Sequence, residues 1–531
     1  VCSYDLNKKK KKKSPKMMKI LKEQQDKIEK LKSENLVNSY LGNRGYTIYK
    51  NCLSIDTLEY IKTELIAKPF VNNQIEPTSF PIYLESDTKI YVPRFWGIKN
   101  FGYPKKIKIK YGEDINLKFH GKLRTEPVNQ PEVINSYLEA IEFNNTTNRG
   151  NSSALIELLC GAGKTVLGLK IIEILKKKTI IFVHKTFLKN QWIERIKEFL
   201  PDAKIGTIQG QVIDIDNKDI VIAMIQSISM KSYPESMFHS FGLSIFDEVH
   251  HISSEIFNKC LKKCTTLYGL GLSATMNRKD GLSYVFKMFL GDICYKNQVK
   301  SQQDNVLVKA IDYHYLDNDD EDDNYNMIER DFRGNVKYTT MLSKVSNLNY
   351  RSDFIISVIL NELKINPDQQ ILLLAHQRNL LNYLYKNIEN QNFTSIGYYV
   401  GGMKQEDLNK SEKKKIILAT YSMAAEALDI KTLTTLVLAT PKSDIVQAVG
   451  RILRAQHSNP LIIDIIDQHD VFLNQFNKRR QFYNEKNYKI VRTDNENYQK
   501  SLNDDKLDIW RELVSKKKSS KLNNKCLINV F

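Results

Sequence analysis

Three groups of residues in this chain have the types and spacing to handle a phosphate chain. The first is Cys160-Gly161-Ala162-Gly163-Lys164-Thr165, which follows an apolar run at 156–159 and precedes the helical spacing Val166, Leu169, Ile172. A strand that turns through glycines into a helix lets backbone N–H groups converge on an anion, and the helix dipole favours negative charge there. Residues 158–165 therefore read as a phosphate loop. Leu158, Leu159, Cys160, Gly161, Ala162 and Gly163 would form the backbone cradle. Lys164 would hold the outer phosphates, and the Thr165 hydroxyl would bind magnesium. The full glycine pattern would begin at Leu158, so this turn relies on Gly161 and Gly163.

The second group is Asp247-Glu248-Val249-His250, after the apolar run 243–246 and 83 positions beyond Lys164. Acids at the carboxyl end of a parallel strand sit beside such a loop. Asp247 would hold Mg²⁺ through its water shell, Glu248 would orient and deprotonate a water, and His250 would relay to a second site. An Asp-Glu pair after a strand is also a common helix cap. The spacing from Lys164 favours chemistry, with ATP and Mg²⁺ as cofactors. The third group is Arg451 and Arg454, three apart and so on one helical face. By themselves they are as compatible with a basic surface.

The elements that must position these groups are legible as short apolar runs separated by room for crossovers. Runs at 153–159, 179–183, 219–224 and 243–246 form one set, and 370–375, 395–400, 415–419 and 435–439 a second. That is the pattern of two tandem parallel sheets flanked by helices, an α/β class. The segment 82–96, with Tyr91-Val92-Pro93-Arg94-Phe95-Trp96, reads as a hairpin of aromatic and β-branched residues. The expected domains are a basic arm at 1–36, a small α/β accessory domain at 37–125 and the first sheet domain at 126–300. A linker with the acidic run Asp317 to Asp323 would follow at 301–345, then the second sheet domain at 346–481 and a polar tail at 482–531.

Lys and Arg outnumber Asp and Glu by 79 to 61, a net +18. Phosphates attract such a surplus and counterion release rewards the contact, so a nucleic acid is the expected partner. Seven scattered cysteines, with Cys260 and Cys264 the one close pair, suit a reducing, intracellular compartment rather than a structural zinc. No apolar run reaches the roughly 20 residues that span a bilayer, so no membrane partner is expected. The first residue is Val, which leaves the true N-terminus open.

Further motifs carry a resemblance. Leu272-Ser273-Ala274-Thr275, the stretch Ala419 to Ile430, and Gln447-Ala448-Val449-Gly450-Arg451-Ile452-Leu453-Arg454 resemble motifs III, V and VI of superfamily 2 helicases of the DEVH-box kind. Ala427 stands where that family usually has glycine. The resemblance covers about residues 120–480. It is similar to the helicase of the transcription and repair factor. It is closer to helicases of large nucleocytoplasmic DNA viruses, the poxvirus transcript-release helicase among them.

This resemblance implies two RecA-like lobes, with Arg451 and Arg454 as fingers that meet transition-state charge on ATP. It implies that Gln130 reads the adenine. It places Lys185 to Trp192, Gln226-Ser227, His376-Gln377-Arg378 and Thr420 along the nucleic-acid strand, with Trp192 more simply explained as core. DNA is the favoured track, RNA the alternative, and transcription machinery a candidate partner. A viral source would put the protein in a cytoplasmic virus factory, with packaging in the virion or entry into the nucleus also open. A binding protein with a degenerate ATP site fits poorly with intact Lys164, Thr165, Asp247, Glu248 and Arg451.

Overall fold

The computed structural model describes residues 39–70, 79–126, 128–142, 152–158, 161–251, 255–276, 278, 280–297, 305–315, 325–426, 428, 430–453, 457, 459–504 and 507–513. The chain divides into two compact units near residue 298. The arm 1–36, the acidic run 317–323 and the terminal lysines lie outside the described residues.

The first unit is built on an eight-stranded sheet ordered Val212–Asp214, Ile205–Gln209, Ile220–Met224, Thr179–Val183, Leu243–Asp247, Tyr268–Ser273, Ser153–Glu157, Ile293–Lys296. Every pairing is parallel except the hairpin at the Val212–Asp214 edge. Thr-Ile-Ile-Phe-Val and Ile-Val-Ile-Ala-Met are buried at every position, as strands covered by helices on both faces must be. One face packs on the helices Lys164–Leu175 and Thr186–Phe199 through Leu167, Ile171, Trp192 and Ile196.

The N-terminal module contributes a five-stranded sheet ordered Leu84–Glu85, Lys89–Val92, Gly45–Tyr49, Tyr40–Gly42, Lys106–Ile107. The expected hairpin is real at Leu84–Glu85 and Lys89–Val92, but Arg94, Phe95 and Trp96 are not part of it. They open the helix Arg94–Phe101. Pro93 has no N–H to offer the ladder, which ends the strand, and its φ of −55° suits the helix start. Trp96 and Tyr46 share a core with Leu267, Leu282 and Val285 of the larger sheet domain. The boundary at 125 also moves. Ile115 and Leu117 belong to the core under Lys164–Leu175, and the Ile115 and His120 amides donate to Lys176 and Phe199 carbonyls.

The second unit carries another eight-stranded sheet, ordered Ile396–Tyr399, Ile416–Thr420, Ile371–Ala375, Thr435–Leu438, Leu461–Asp467, Leu307–Tyr313, Lys489–Asp494, Arg511–Glu512. All its pairings are parallel except the last. This corrects the linker at 301–345 and the tail at 482–531. Leu307–Tyr313 is an interior strand paired on both sides, and Lys489–Asp494 continues the sheet beyond it. Polar residues such as Lys309 and Arg492 hid both strands, since their charges are met by Glu362 and Asp312. The helix Asp470–Glu485 likewise runs through the boundary expected at 481. Two RecA-like domains with an N-terminal addition describe the architecture, and no described helix is long and apolar enough to cross a membrane.

Candidate nucleotide site and the second lobe

The phosphate loop and the acidic strand meet at the carboxyl edge of the first sheet. Ser153–Glu157 delivers the loop and Leu243–Asp247 the acids, with Tyr268–Ser273 hydrogen-bonded between them. The helix starts at Lys164 over Gly163, whose φ of +86° favours glycine. A Cβ at Gly163 would also collide with the Gln130 amide. Gly161 likewise has positive φ, at +82°. Two of the cradle residues, Leu159 and Cys160, lie outside the described residues. Leu158 is buried and Ala162 nearly so.

Gln130 is a brace for this loop. Its Nε2 donates to the Ala162 carbonyl at 3.1 Å, and its Oε1 accepts from the Arg124 amide at 2.9 Å. The amide is 3% exposed. Its placement ties the segment before the loop to the loop itself, whatever it does for a base.

Lys164 Nζ lies 2.6 Å from Glu248 Oε1, with the two side chains 12% and 15% exposed. Glu248 holds a left-handed backbone, φ +50°, a conformation that costs a non-glycine residue about 1–3 kcal/mol. The Glu248 carboxylate reaches the phosphate loop at Lys164. Asp247 is buried. Its Oδ2 accepts from Trp192 Nε1 at 2.9 Å and its Oδ1 from the Glu248 amide at 3.0 Å. Burial and the neighbouring Glu248 charge push the Asp247 carboxyl up, against the pull of Lys164 and the Trp192 bond. Trp192 is core, 1% exposed, as expected. Its hydrogen bond to the acid was not visible in the sequence.

A short relay leads away from Glu248. Its Oε2 lies 3.4 Å from His250 Nδ1, which is 2.7 Å from Ser273 Oγ. Ser273 Oγ donates to the Thr275 carbonyl at 2.7 Å. Its single proton being used there, the serine accepts from His250, which puts the imidazole proton on Nδ1. Burial lowers the His250 pKa, against the opposing Glu248 charge, so a neutral ring is favoured. The acidic motif and Ser273-Ala274-Thr275 are thus physically joined.

The residues present fit a triphosphate and its metal. The helix Lys164–Leu175 presents its amino end to the loop, the loop turns through positive φ at Gly161 and Gly163, and Lys164 already holds an anionic oxygen. Asp247 and Thr165 would supply oxygen donors of the kind magnesium prefers.

In the second unit Arg451 is 3% exposed and its Nη1 donates to the Leu428 carbonyl at 2.7 Å. Arg454, Ala427 and Asp429 lie outside the described residues. The helix bearing Arg451, Val446–Ile452, follows a loop that is held unusually firmly. Carbonyls of four successive residues accept from side chains: Ala439 from Arg351 Nη2 at 2.8 Å, Thr440 from the Tyr421 hydroxyl at 2.6 Å, Pro441 from the Tyr338 hydroxyl at 3.3 Å, and Lys442 from Arg479 Nη1 at 2.6 Å. The two arginines are themselves fixed by buried Asp467 and Asp464. The sequence places Tyr421 in the stretch Ala419 to Ile430 and Ala439 in an expected strand, but gives none of these residues a part in holding this loop.

The expected track residues are largely engaged within their own lobe. Gln226 Nε2 donates to the His184 carbonyl at 2.7 Å, and Ser227 Oγ accepts from the Gly210 amide at 2.9 Å. Gln377 Nε2 donates to Ser343 Oγ at 2.7 Å, and Arg378 donates to the Gly401 carbonyl. Thr420 Oγ1 lies 3.2 Å from Ser422 Oγ on an exposed edge. His376 Nδ1 is 2.9 Å from Thr440 Oγ1. Burial, with Lys442 nearby, pushes the His376 pKa down to about 4.

The family model described as "Type III restriction enzyme, res subunit" matches residues 125–278, and "Helicase conserved C-terminal domain" matches 354–456. A protein of Acanthamoeba polyphaga mimivirus, provisionally named an ATP-dependent RNA helicase, is 31% identical over 468 residues, 86% of this chain and 87% of its own. A protein of Invertebrate iridescent virus 6, provisionally named a helicase, is 24% identical over 465 residues, 83% of this chain and 98% of its own. One from African swine fever virus, again provisionally an ATP-dependent RNA helicase, is 24% identical over 388 residues, 67% of this chain and 73% of its own. The chain therefore belongs to the superfamily 2 helicases, as an ATP-hydrolysing member related to those of large DNA viruses.

Proposed function

We propose that the lobe-one site hydrolyses Mg²⁺-ATP to drive movement along DNA, in transcription or genome maintenance of the viral kind. The observation that carries the hydrolytic part is the Lys164–Glu248 pair at 2.6 Å. A triphosphate entering the cradle competes for the ammonium, and a Glu248 carboxylate freed from Lys164 becomes available to orient water and accept its proton. Bound magnesium, held by Asp247 and Thr165, would neutralise charge on the phosphates. His250, 3.4 Å from Glu248 and hydrogen-bonded to Ser273, is placed to pass the charge state of Glu248 on to Ser273. Arg454 is assigned as a finger by the resemblance of the stretch Gln447 to Arg454 to motif VI. A finger role for Arg451 would require its release from the Leu428 carbonyl.

DNA is favoured by the likeness of lobe one to a restriction-enzyme subunit. An RNA track is the second reading, favoured by the names of the mimivirus and African swine fever virus relatives. ATPase rates with single- and double-stranded DNA and RNA, measured side by side, decide between them. Greater stimulation by DNA is expected. Greater stimulation by RNA replaces the first reading with the second, and stimulation by neither removes the coupling to a track.

A further inference from the structure

Arg94, in the Tyr91–Phe95 segment that nucleotide chemistry leaves unused, is 4% exposed. One of its terminal nitrogens donates to the Leu267 carbonyl at 3.3 Å and the other to the Thr266 carbonyl. Burial lowers its pKa to about 10, so it remains a cation at neutral pH. Two carbonyls do not use all the N–H groups of a guanidinium, nor do they cancel its charge. Among the described residues no carboxylate pairs with it, and its Nε has no partner. Ser153 Oγ, also 4% exposed, is likewise without a partner among the described residues.

Arg94 and Ser153 line one small cavity, about 20 Å³, together with Ser244, Phe246, Thr266 and Gly269. That is room for one water or one monatomic ion and nothing larger. A water would satisfy Nε but leave the charge uncompensated, and an uncompensated buried charge is the costly case. A small anion meets both needs, and the serine hydroxyl supplies a second donor.

We propose that this cavity binds a single halide-sized anion, with chloride as the physiological occupant, held by Arg94 Nε and the Ser153 hydroxyl. The anion would pin the helix Arg94–Phe101 to the amino end of the strand Ser153–Glu157. The opposite end of that strand leads into the phosphate loop, so the N-terminal module would be anchored to the strand that delivers it.

The test uses the full chain in two ways. Crystals soaked in bromide should give an anomalous peak within hydrogen-bond distance of Arg94 Nε and Ser153 Oγ. In solution, the thermal midpoint should be higher in sodium chloride than in sodium gluconate at equal ionic strength, and Arg94→Met should abolish that difference. Should Arg94→Met fail to fold, Ser153→Ala is the milder probe and should shrink the chloride-dependent shift. Water density with no anomalous signal overturns the site. A bromide peak with no anion-dependent midpoint means an adventitious ion only, and also overturns it. ATPase activity is read separately, so a failed nucleotide assignment leaves this result interpretable.

Discussion

The two lobes are each built on a largely parallel sheet of their own but put their charges to opposite uses. In lobe one the ion pair that matters, Lys164–Glu248, is partly exposed and rests on strained backbone, beside an acid that burial makes reluctant to ionise. In lobe two the pairs Arg351–Asp467 and Arg479–Asp464 are sealed from solvent and extend to main-chain carbonyls. The first arrangement can be broken by an incoming anion, since its members gain a new partner when they part. The second cannot, since parting would strand a buried charge. Exposure and strain mark groups kept ready for exchange, and complete burial with full hydrogen bonding marks groups that fix a loop.

That contrast is sharpest where one partner of a sealed pair is removed. Arg351→Met should destabilise lobe two by about 3–5 kcal/mol, because Asp467 is left charged and buried. Chemical denaturation should show it as a lowered midpoint, and adding Asp467→Leu should recover much of the loss. A single substitution of near-zero cost would erase the distinction between the lobes. Next in size is the exchangeable pair. Lys164→Ala and Glu248→Gln should each slow nucleic-acid-stimulated ATPase by about 10²–10³-fold, while leaving the denaturation midpoint almost unmoved. Glu248→Gln should still bind ATP. Near-normal turnover in Lys164→Ala would refute the phosphate assignment.

What could be seen in the sequence follows from how far apart the causes lie. The eight apolar runs expected as strands all fall in the two sheets, because a strand covered on both faces declares itself locally. The phosphate loop and its acids were legible for the same reason, each being a contiguous string. Leu461–Asp467 was not, since Asp464 and Asp467 make it look unfit for a core. They are tolerated because Arg479 arrives from the helix that follows and Arg351 from 116 residues upstream, and neither pairing leaves a periodic trace. Arg451 was read as a reaching cation, yet its burial against Leu428 depends on the fold of the loop around it. Trp192 was correctly read as core. Its second task, holding Asp247, needed the register between the helix Thr186–Phe199 and the strand Leu243–Asp247.

Trp192 gives a smaller test of the same contrast. Trp192→Phe keeps most of the apolar volume but removes the donor to Asp247 Oδ2, a bond to a charged group worth about 1.5–3 kcal/mol. The bond favours the ionised acid, so its loss should raise the Asp247 pKa further. Only ionised Asp247 serves magnesium, so activity is lost as pH falls through that pKa. The acid limb of the ATPase profile should therefore move to higher pH in the variant, with the alkaline side unchanged. A uniform loss of rate at every pH would instead assign Trp192 to packing alone.

Least of all should be Tyr338→Phe, which removes one of the four side-chain bonds to residues 439–442, a neutral bond worth about 1 kcal/mol. The Pro441 carbonyl loses its tyrosine donor while Arg351, Tyr421 and Arg479 still hold its neighbours. A small drop in the denaturation midpoint with unchanged ATPase is expected if the clamp is redundant. A larger fall in stimulated ATPase than in stability would mean that the exact pose of this loop, and so of the helix Val446–Ile452 it launches, limits turnover. In that case the sealed charges of lobe two would act in the reaction through position alone.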